Sequence, residues 1–376
     1  MAAGVQVPGP TGPRDGARLL IVRPSALGDV ARTVPVLAAL RGSFPNASID
    51  WLVHPAYADA IRCHPDLREA IPFDRKGMSG FGLRPSATRK GLSLIRRLRR
   101  ERYDRVYDLQ GLARSGFFTW MSGSRHRVGF ADAREGAAWG YNRRHHVNKV
   151  HTVDRMLGLL AADGVALQQE PDLRLYTPAE DQRWADSYLA KHGIDAERGF
   201  VCVAPTAQWR CKWWPMDRYA ALINRIVAEP CCGGRVLVLA APHEFDELLP
   251  LREALDAQAA GRVDFPPTAS VGQLMGLLGR SGLVISNDSA SLHLGVGLGR
   301  PVVGVFGPTD PRRVGPYGHD DAVVQPDAAR EPGFTFDYRK HRDDQSLIAQ
   351  IPVATVWSMI LRVAGTSPDR QTSKAV

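Results

Sequence analysis

The sequence contains no run approaching the ~20 consecutive apolar residues of a membrane-spanning helix. Its opening, MAAGVQVPGPTGPRDG, lacks the charged-then-apolar order of a secretory signal. Together these absences predict a soluble, cytoplasmic protein. Cysteine is scarce and oddly numbered: Cys63, Cys202, Cys211, Cys231 and Cys232 include no C-x-x-C pair, so neither a zinc ribbon nor a regular disulfide framework fits, and reduced, structural thiols are expected. No short repeat of the solenoid type occurs. What is present is 376 residues, 44% hydrophobic and 23% charged. That balance excludes disorder, collagen and a small disulfide scaffold, and the length allows two domains.

Charge is unevenly placed. Lys and Arg number 48 against 39 Asp and Glu, a formal net of +9. Residues 1–175 hold 27 basic and 16 acidic side chains, and residues 176–376 hold 21 and 23, so the first half should attract an anion that the second does not. The density peaks over 84–105, RPSATRKGLSLIRRLRRERYDR, where nine Lys and Arg stand against Glu101 and Asp104. Three readings are open for this stretch: a solvated helix face, an anionic acceptor site, or a patch resting on an acidic membrane surface. Arg114, Arg134, Arg143, Arg144 and Lys149 extend the positive character. No recognised nucleic-acid motif accompanies the charge, and no nucleic-acid partner is expected.

Residues 1–16 are rich in Pro and Gly without periodicity and 365–376 (GTSPDRQTSKAV) are polar, so both are expected to be disordered tails. From Ala17, ARLLIVRP reads as a buried strand, SALGDVART as a turn, VPVLAALRGSF as a helix with Pro35 near its first turn, and SIDWLV as a second strand. That is a βαβ unit of a parallel sheet. YDRVYDLQG reads as a further strand ending in a glycine turn. Around 165–180 periodicity lapses and charge changes sign, marking a linker. A second α/β series follows, with GFVCVAP, GRVLVLAAP, LVISND and PVVGVFG as strands. The expected fold is α/β, with two Rossmann-like doubly wound parallel-sheet domains, residues 17–172 and 173–350, facing a central cleft at the carboxyl ends of their strands.

Four segments fall at those strand ends. Ser25-Ala26-Leu27-Gly28-Asp29 follows the first strand, where Gly28 permits a tight turn. It is not G-x-G-x-x-G, so a dinucleotide fingerprint is absent. Asp29 is either a helix cap or a catalytic base. Thr206-Ala207-Gln208-Trp209-Arg210-Cys211-Lys212 places a Lys and a hydroxyl past a second strand, where Lys212 either neutralises a leaving phosphate or is an exposed Lys beside core tryptophans. Asn287-Asp288-Ser289-Ala290 runs from a strand into a Gly-rich helix. Ser289 can cap that helix, whose first-turn N–H groups suit a pyrophosphate, and Asp288 could accept from sugar hydroxyls. His293, inside the helix, is either a core histidine or a functional one. Gly307-Pro308-Thr309-Asp310-Pro311 reads first as a turn.

SALGDVARTVPVL, YDRVYDLQGLARSG, AREGAAWGYNRRHH, TAQWRCKWWP and VISNDSASLHLGVGLGRPVVGVFGPTDP, in this order over residues 18–320, resemble the family 9 glycosyltransferases and within them the lipopolysaccharide heptosyltransferase group. The resemblance implies a GT-B fold, with an acceptor on the first domain and a nucleotide sugar on the second. It implies metal-independent, inverting transfer of heptose from ADP-heptose to the Kdo inner core of lipid A, at the inner face of the cytoplasmic membrane. No Asp-x-Asp occurs in the chain. No cofactor beyond the nucleotide-sugar donor is expected. Carried over by position, Asp29 is the general base. Lys212 and Thr206 match the phosphate loop, Glu244 the ribose carboxylate, and Asp288, Ser289, Ala290 and His293 the donor site. Ser25, Gly28, Arg114, Arg134 and Arg143 fall on the acceptor side. Ser289 and Ala290 stand where many relatives carry Thr and Gly. The helix at 351–364 is expected to return over the first domain. Alternative readings keep the chemistry with another sugar or envelope glycolipid, or keep only nucleotide binding on the same scaffold.

Overall fold

Short strands that are apolar on both faces can be satisfied only between two layers of helices. The computed structural model, which describes residues 16–229, 233–331, 333–337 and 340–365, meets that demand twice. In the first half, β1 (Arg18–Val22), β2 (Ser48–Val53), β3 (Glu69–Pro72), β4 (Arg105–Asp108), β5 (His126–Phe130) and β6 (Arg143–His145) alternate with α1 (Leu27–Ser43), α2 (Pro85–Glu101), α3 (Ala113–Met121) and α4 (Thr152–Ala162). The second half holds strands β7 (Val201–Ala204), β8 (Val236–Val238), β9 (Val263–Asp264), β10 (Leu283–Asn287), β11 (Val302–Val305) and β12 (Val323–Val324). Its helices are α5 (Ala179–Lys191), α6 (Met216–Ala228), α7 (Leu249–Glu253), α8 (Ala257–Ala260), α9 (Val271–Leu278), α10 (Ala290–Gly297), α11 (Pro311–Val314), α12 (Asp327–Arg330) and α13 (Val353–Gly365). Residues 165–178 between the halves carry neither helix nor strand.

Both sheets are six-stranded and parallel, ordered β3-β2-β1-β4-β5-β6 and β12-β11-β10-β7-β8-β9. Each is the doubly wound order, with a switch point where the winding reverses, between β1 and β4 and between β7 and β10. The expected two-sheet α/β fold is therefore observed. One apolar cluster runs from α1 and α4 (Val30, Val34, Met156, Leu160) into α5, α9 and α10 (Leu189, Met275, Leu292, Val296), so the halves share a core behind the cleft.

Three expectations need correction. Helix α1 begins at Leu27, within the segment read as a turn. Asp29 at its third position accepts from the Ala26 amide at 3.3 Å, which starts the helix early and leaves Pro35 in its interior. Ser289 occupies the N-cap of α10 but makes no capping bond; its hydroxyl lies 2.9 Å from that of Ser286. Helix α13 does not return over the first half. Val356, Trp357, Ile360 and Ala364 pack with Trp214, Tyr219, Val303 and Val324 of the second, because those side chains already leave a largely apolar seat beside β11. Residues 1–15 and 366–376 of the expected tails, with Cys231 and Cys232, lie outside the described residues. Cys63, Cys202 and Cys211 are free thiols.

Candidate active site

At the first switch point, Asp108 closes β4 and is fully buried. Its carboxylate accepts from the amides of Gln110 (2.9 Å) and Gly111 (3.1 Å) and from the Tyr141 hydroxyl (2.7 Å), folding the chain into a turn in which Gly111 takes a φ of +66°. Burial raises the Asp108 carboxyl despite these bonds. The turn aims Gln110 back at the neighbouring strand, where its side-chain oxygen accepts from the Ser25 amide at 3.2 Å. Ser25, Gln110 and the exposed Arg114 line a cavity of about 1030 Å³ with Arg75, Lys76 and an aromatic wall of Phe73, Phe81, Phe117 and Phe118. Arg134 is exposed in the loop after β5, its amide bonded to the Gly111 carbonyl at 3.0 Å.

Four residues beyond Ser25, Asp29 sits between two guanidinium groups, Arg23 at 3.0 Å and Arg32 at 2.6 Å. Burial alone would raise its carboxyl, but the two arginines and the Ala26 amide prevail and hold it far below the usual carboxylate range. Gly28 explains how α1 approaches the second half: a Cβ there would lie 3.0 Å from Cδ2 of His293 and 3.5 Å from Cα of Ala290. Two helix amino ends thus face one gap, each with a carboxylate beside it.

The second carboxylate is Asp288, which accepts from Nζ of Lys212 at 2.6 Å. Burial works against its ionised form, and Lys212, His293 and Arg32 together outweigh burial and lower it. The loop that carries Lys212 is pinned by the buried Asn287. Its amide nitrogen donates to the Pro205 carbonyl, and its oxygen accepts from the Trp214 amide at 3.2 Å and the Tyr219 hydroxyl at 3.0 Å. Thr206 donates to Glu244 at 2.8 Å, and the same carboxylate accepts from the Ala241 amide at 3.0 Å. Thr206 and Glu244 therefore form one subsite at the ends of β7 and β8. His293 is buried and neutral near pH 7: desolvation and Arg32 push it down to about 3 against the pull of Asp288 and Asp29. Lying against Gly28 of the first half, it marks where the two halves of the site converge.

Asp29, Lys212, Asp288, Ser289, Ala290 and His293 are thus brought together, with Ser25, Gly28, Arg114 and Arg134 on the first-half side. Arg143 is not, and its expected place among the acceptor-side cations is corrected. It lies toward the opposite end of the sheet, where its Nε pairs with the buried Asp163 at 2.8 Å beside Arg105 and Tyr107. A desolvated carboxylate left by the end of α4 needs that cation. Sequence reasoning missed Arg23, Arg32, Gln110 and Asn287. Arg32 stands three residues after Asp29, a helical neighbour, and that spacing was the available signal.

Arg32 also reaches the second half, donating to the Val314 carbonyl at 2.8 Å. His151 accepts from the Val153 amide through Nδ1, so Nε2 carries the proton toward the Gly315 carbonyl at 3.2 Å. Thr152 donates to the Arg313 carbonyl at 2.8 Å. The Gly307–Pro311 turn therefore leads into the strip on which the halves dock. Among the described residues no group of three or more His, Cys, Asp or Glu side chains is arranged to hold a metal ion.

Two doubly wound sheets with strand ends turned to a common gap, and charged residues from both sides in it, have the GT-B architecture. Residues 91–340 match glycosyltransferase family 9 (heptosyltransferase). Lipopolysaccharide heptosyltransferase 1 of Escherichia coli (strain K12) is 31% identical over 316 residues, 82% of this chain and 93% of that protein. Lipopolysaccharide heptosyltransferase 2 of the same strain is 25% identical over 82% of this chain and 88% of its own. The solved structure of E. coli heptosyltransferase WaaC with ADP superposes with a TM-score of 0.72 at 25% identity, over 92% of this chain and 99% of that one. A glycosyl transferase family 9 structure from Veillonella parvula DSM 2008 gives 0.75 at 20% identity, over 94% and 98%. The chain belongs to glycosyltransferase family 9, the heptosyltransferase family, and is a transferase, as the motifs of residues 18–320 imply.

Proposed function

We propose that this enzyme moves a heptose from ADP-heptose to the Kdo inner core of a lipid A precursor, with inversion and without a metal, at the inner face of the cytoplasmic membrane. The observation that carries the reading is the close approach of Gly28, beside Asp29 in one half, to His293 and Ala290 of the other, where the Lys212–Asp288 pair also sits. The names of the curated relatives, and the ADP held by the WaaC structure, support the sugar, the acceptor class and the nucleotide. Residues 17–172 form the acceptor half and 173–350 the donor half in this reading.

Asp29 takes the proton of the acceptor hydroxyl as its oxygen bonds to the anomeric carbon, and the diphosphate leaves with the electrons of the broken C–O bond on the opposite face. Lys212 and the uncapped first turn of α10, at Ser289 and Ala290, balance the charge that builds on the leaving group. Glu244 and Thr206 hold the ribose, and Asp288 accepts from sugar hydroxyls. Arg114 and Arg134, with the cavity beside Ser25 and Gly28, take the anionic acceptor. The test is thermal protection by a panel of nucleotides. ADP and ADP-heptose should stabilise the protein by ~2.7 kcal/mol at a hundred times their dissociation constant, UDP and GDP should not, and turnover should survive chelation. Selective protection by UDP would replace the donor, and strict metal dependence would replace the mechanism.

A further inference from the structure

The first half carries a surface that transfer chemistry does not use. Leu83 is 89% exposed, Trp139 50% and Trp120 47%, and large apolar side chains gathered in the open call for a partner. The two tryptophans belong to one row. The Trp120 and Trp139 rings meet edge to face at 5.6 Å, Phe117 lies 6.4 Å from Trp120, and Phe81 lies 5.8 Å from Phe117. Phe81 and Phe117 are also part of the wall of the 1030 Å³ cavity, so the row leads from that cavity to the surface.

Beside it runs the basic helix. Helix α2 buries Ala87, Gly91, Leu94, Ile95 and Leu98 and turns Arg89, Leu92, Arg96 and Arg100 outward. Arg84, Arg89 and Arg96, with Leu83 and Leu92, line a surface hollow of about 370 Å³. Lys90 and Arg97 are paired with Asp74 and Glu69. Among the described residues no ion pair is recorded for Arg84, Arg89 or Arg96.

We propose that this face, the three-arginine hollow with its ledge of Leu83, Trp120 and Trp139, docks the protein on an anionic phospholipid bilayer. Guanidinium groups draw in acidic headgroups, indole rings settle at headgroup depth, and an aliphatic side chain as bare as Leu83 gains only from hydrocarbon. That last feature favours lipid over nucleic acid, whose phosphates and bases offer it nothing. No helix among the described residues is long and apolar enough to cross a membrane. A consequence, which rests on the lipid-linked acceptor proposed above, is that the acceptor sugar enters the cavity along the aromatic row while its lipid stays in the membrane.

Sedimentation of the full chain with vesicles tests the docking without any turnover. Binding should be strong to mixed phosphatidylglycerol and phosphatidylcholine, weak to phosphatidylcholine alone, and should decline as salt rises. Each arginine near the surface is worth about fivefold, so Arg84→Glu/Arg89→Glu/Arg96→Glu should lose about 100-fold or more. Trp120→Ser/Trp139→Ser should lose the blue shift of tryptophan emission on vesicles. The arginine variant should keep turnover on a detergent-dispersed acceptor within threefold, which separates this outcome from a failure of the transferase reading. Quenching of the unaltered protein by brominated lipid gives a readout independent of how the variants fold. Equal binding to neutral vesicles, variants that bind as the parent does, an absence of quenching, or preference for a DNA duplex over anionic vesicles would overturn the proposal.

Discussion

Lys212 and Asp288, 2.6 Å apart, tie the loop after β7 to the end of β10 across the second switch point. Both side chains are largely buried, 18% and 8% exposed, so neither charge is affordable without the other. The pair stores a desolvated ammonium at the spot where a parallel sheet receives its ligand. An arriving diphosphate competes with Asp288 for that cation, and the released carboxylate is then available to sugar hydroxyls.

Breaking the pair from one side should therefore cost stability as well as chemistry. Lys212→Met is expected to lower stability by about 3 kcal/mol and to raise KM for the donor, and adding Asp288→Asn should recover most of the stability but none of the turnover. The pH dependence has a definite sign. The Asp288 carboxyl is held below its ordinary value in the folded protein, so its stabilisation is complete above about pH 4 and is lost as pH falls through the folded value. Denaturant titrations should show the margin over Lys212→Met shrinking in acid; a margin that grows there would contradict the pairing.

Removing the proposed base without disturbing the fold isolates its role. Asp29→Asn keeps the shape and an acceptor for the Ala26 amide, so ADP affinity is expected to stay within a few fold while kcat falls by at least ~10²-fold. Calorimetry and initial rates measure the two separately. Unchanged kcat would leave Asp29 a helix-starting residue only.

Arg32 makes Asp29 a weaker base than an isolated carboxylate, since its charge favours the ionised form. In Arg32→Ala the Asp29 carboxyl should rise, by about 1 unit or more for loss of one adjacent guanidinium. The acid limb of the kcat/KM profile is expected to move to higher pH, not lower. The same substitution removes the bond to Val314 of the second half, so the shifted limb should be accompanied by a larger radius of gyration in small-angle scattering.

The strands were legible because they are apolar runs bounded by turn residues: RLLIV, VCVA and VVGV each lie where the pattern puts them. Asp29, Lys212 and Asp288 were legible as polar residues just past strand ends. The start of α1 was not, because a capping Asp inside SALGDVART competes with Pro35 for the same signal and wins through the Ala26 amide. The seat of α13 was hidden as well. Its apolar face fits either half, and only the assembled groove of Trp214, Tyr219 and Val303 decides. Arg143 misled because a basic run does not say which end of a sheet each residue occupies.

Two arginines from that basic run should accordingly behave in opposite ways. Arg143→Ala is expected to leave kcat/KM within twofold while costing about 1–3 kcal/mol, as a buried carboxylate loses a partner. Arg114→Ala, on the cavity wall, should leave stability unchanged and raise KM for the acceptor. Acceptor titrations beside thermal unfolding of both variants will distinguish them, and an acceptor defect in Arg143→Ala would reinstate it on the acceptor side.

Gly28 is a place where the two halves meet within the site, and a methyl group there measures how much that contact matters. The added Cβ would stand 3.0 Å from Cδ2 of His293 and 3.5 Å from Cα of Ala290, a spacing that obliges one helix end to retreat by a few tenths of an ångström. His293 is buried and Ala290 is backbone-fixed at the start of α10, so the retreat falls on the separation of Asp29 from the donor. Reaction geometry is steep in that coordinate. Gly28→Ala is therefore expected to lower kcat by about 10-fold with Asp29, Lys212 and Asp288 all intact, and Gly28→Val by more. A Gly28→Ala enzyme with full kcat would mean that the reacting groups meet in an arrangement more open than this contact requires.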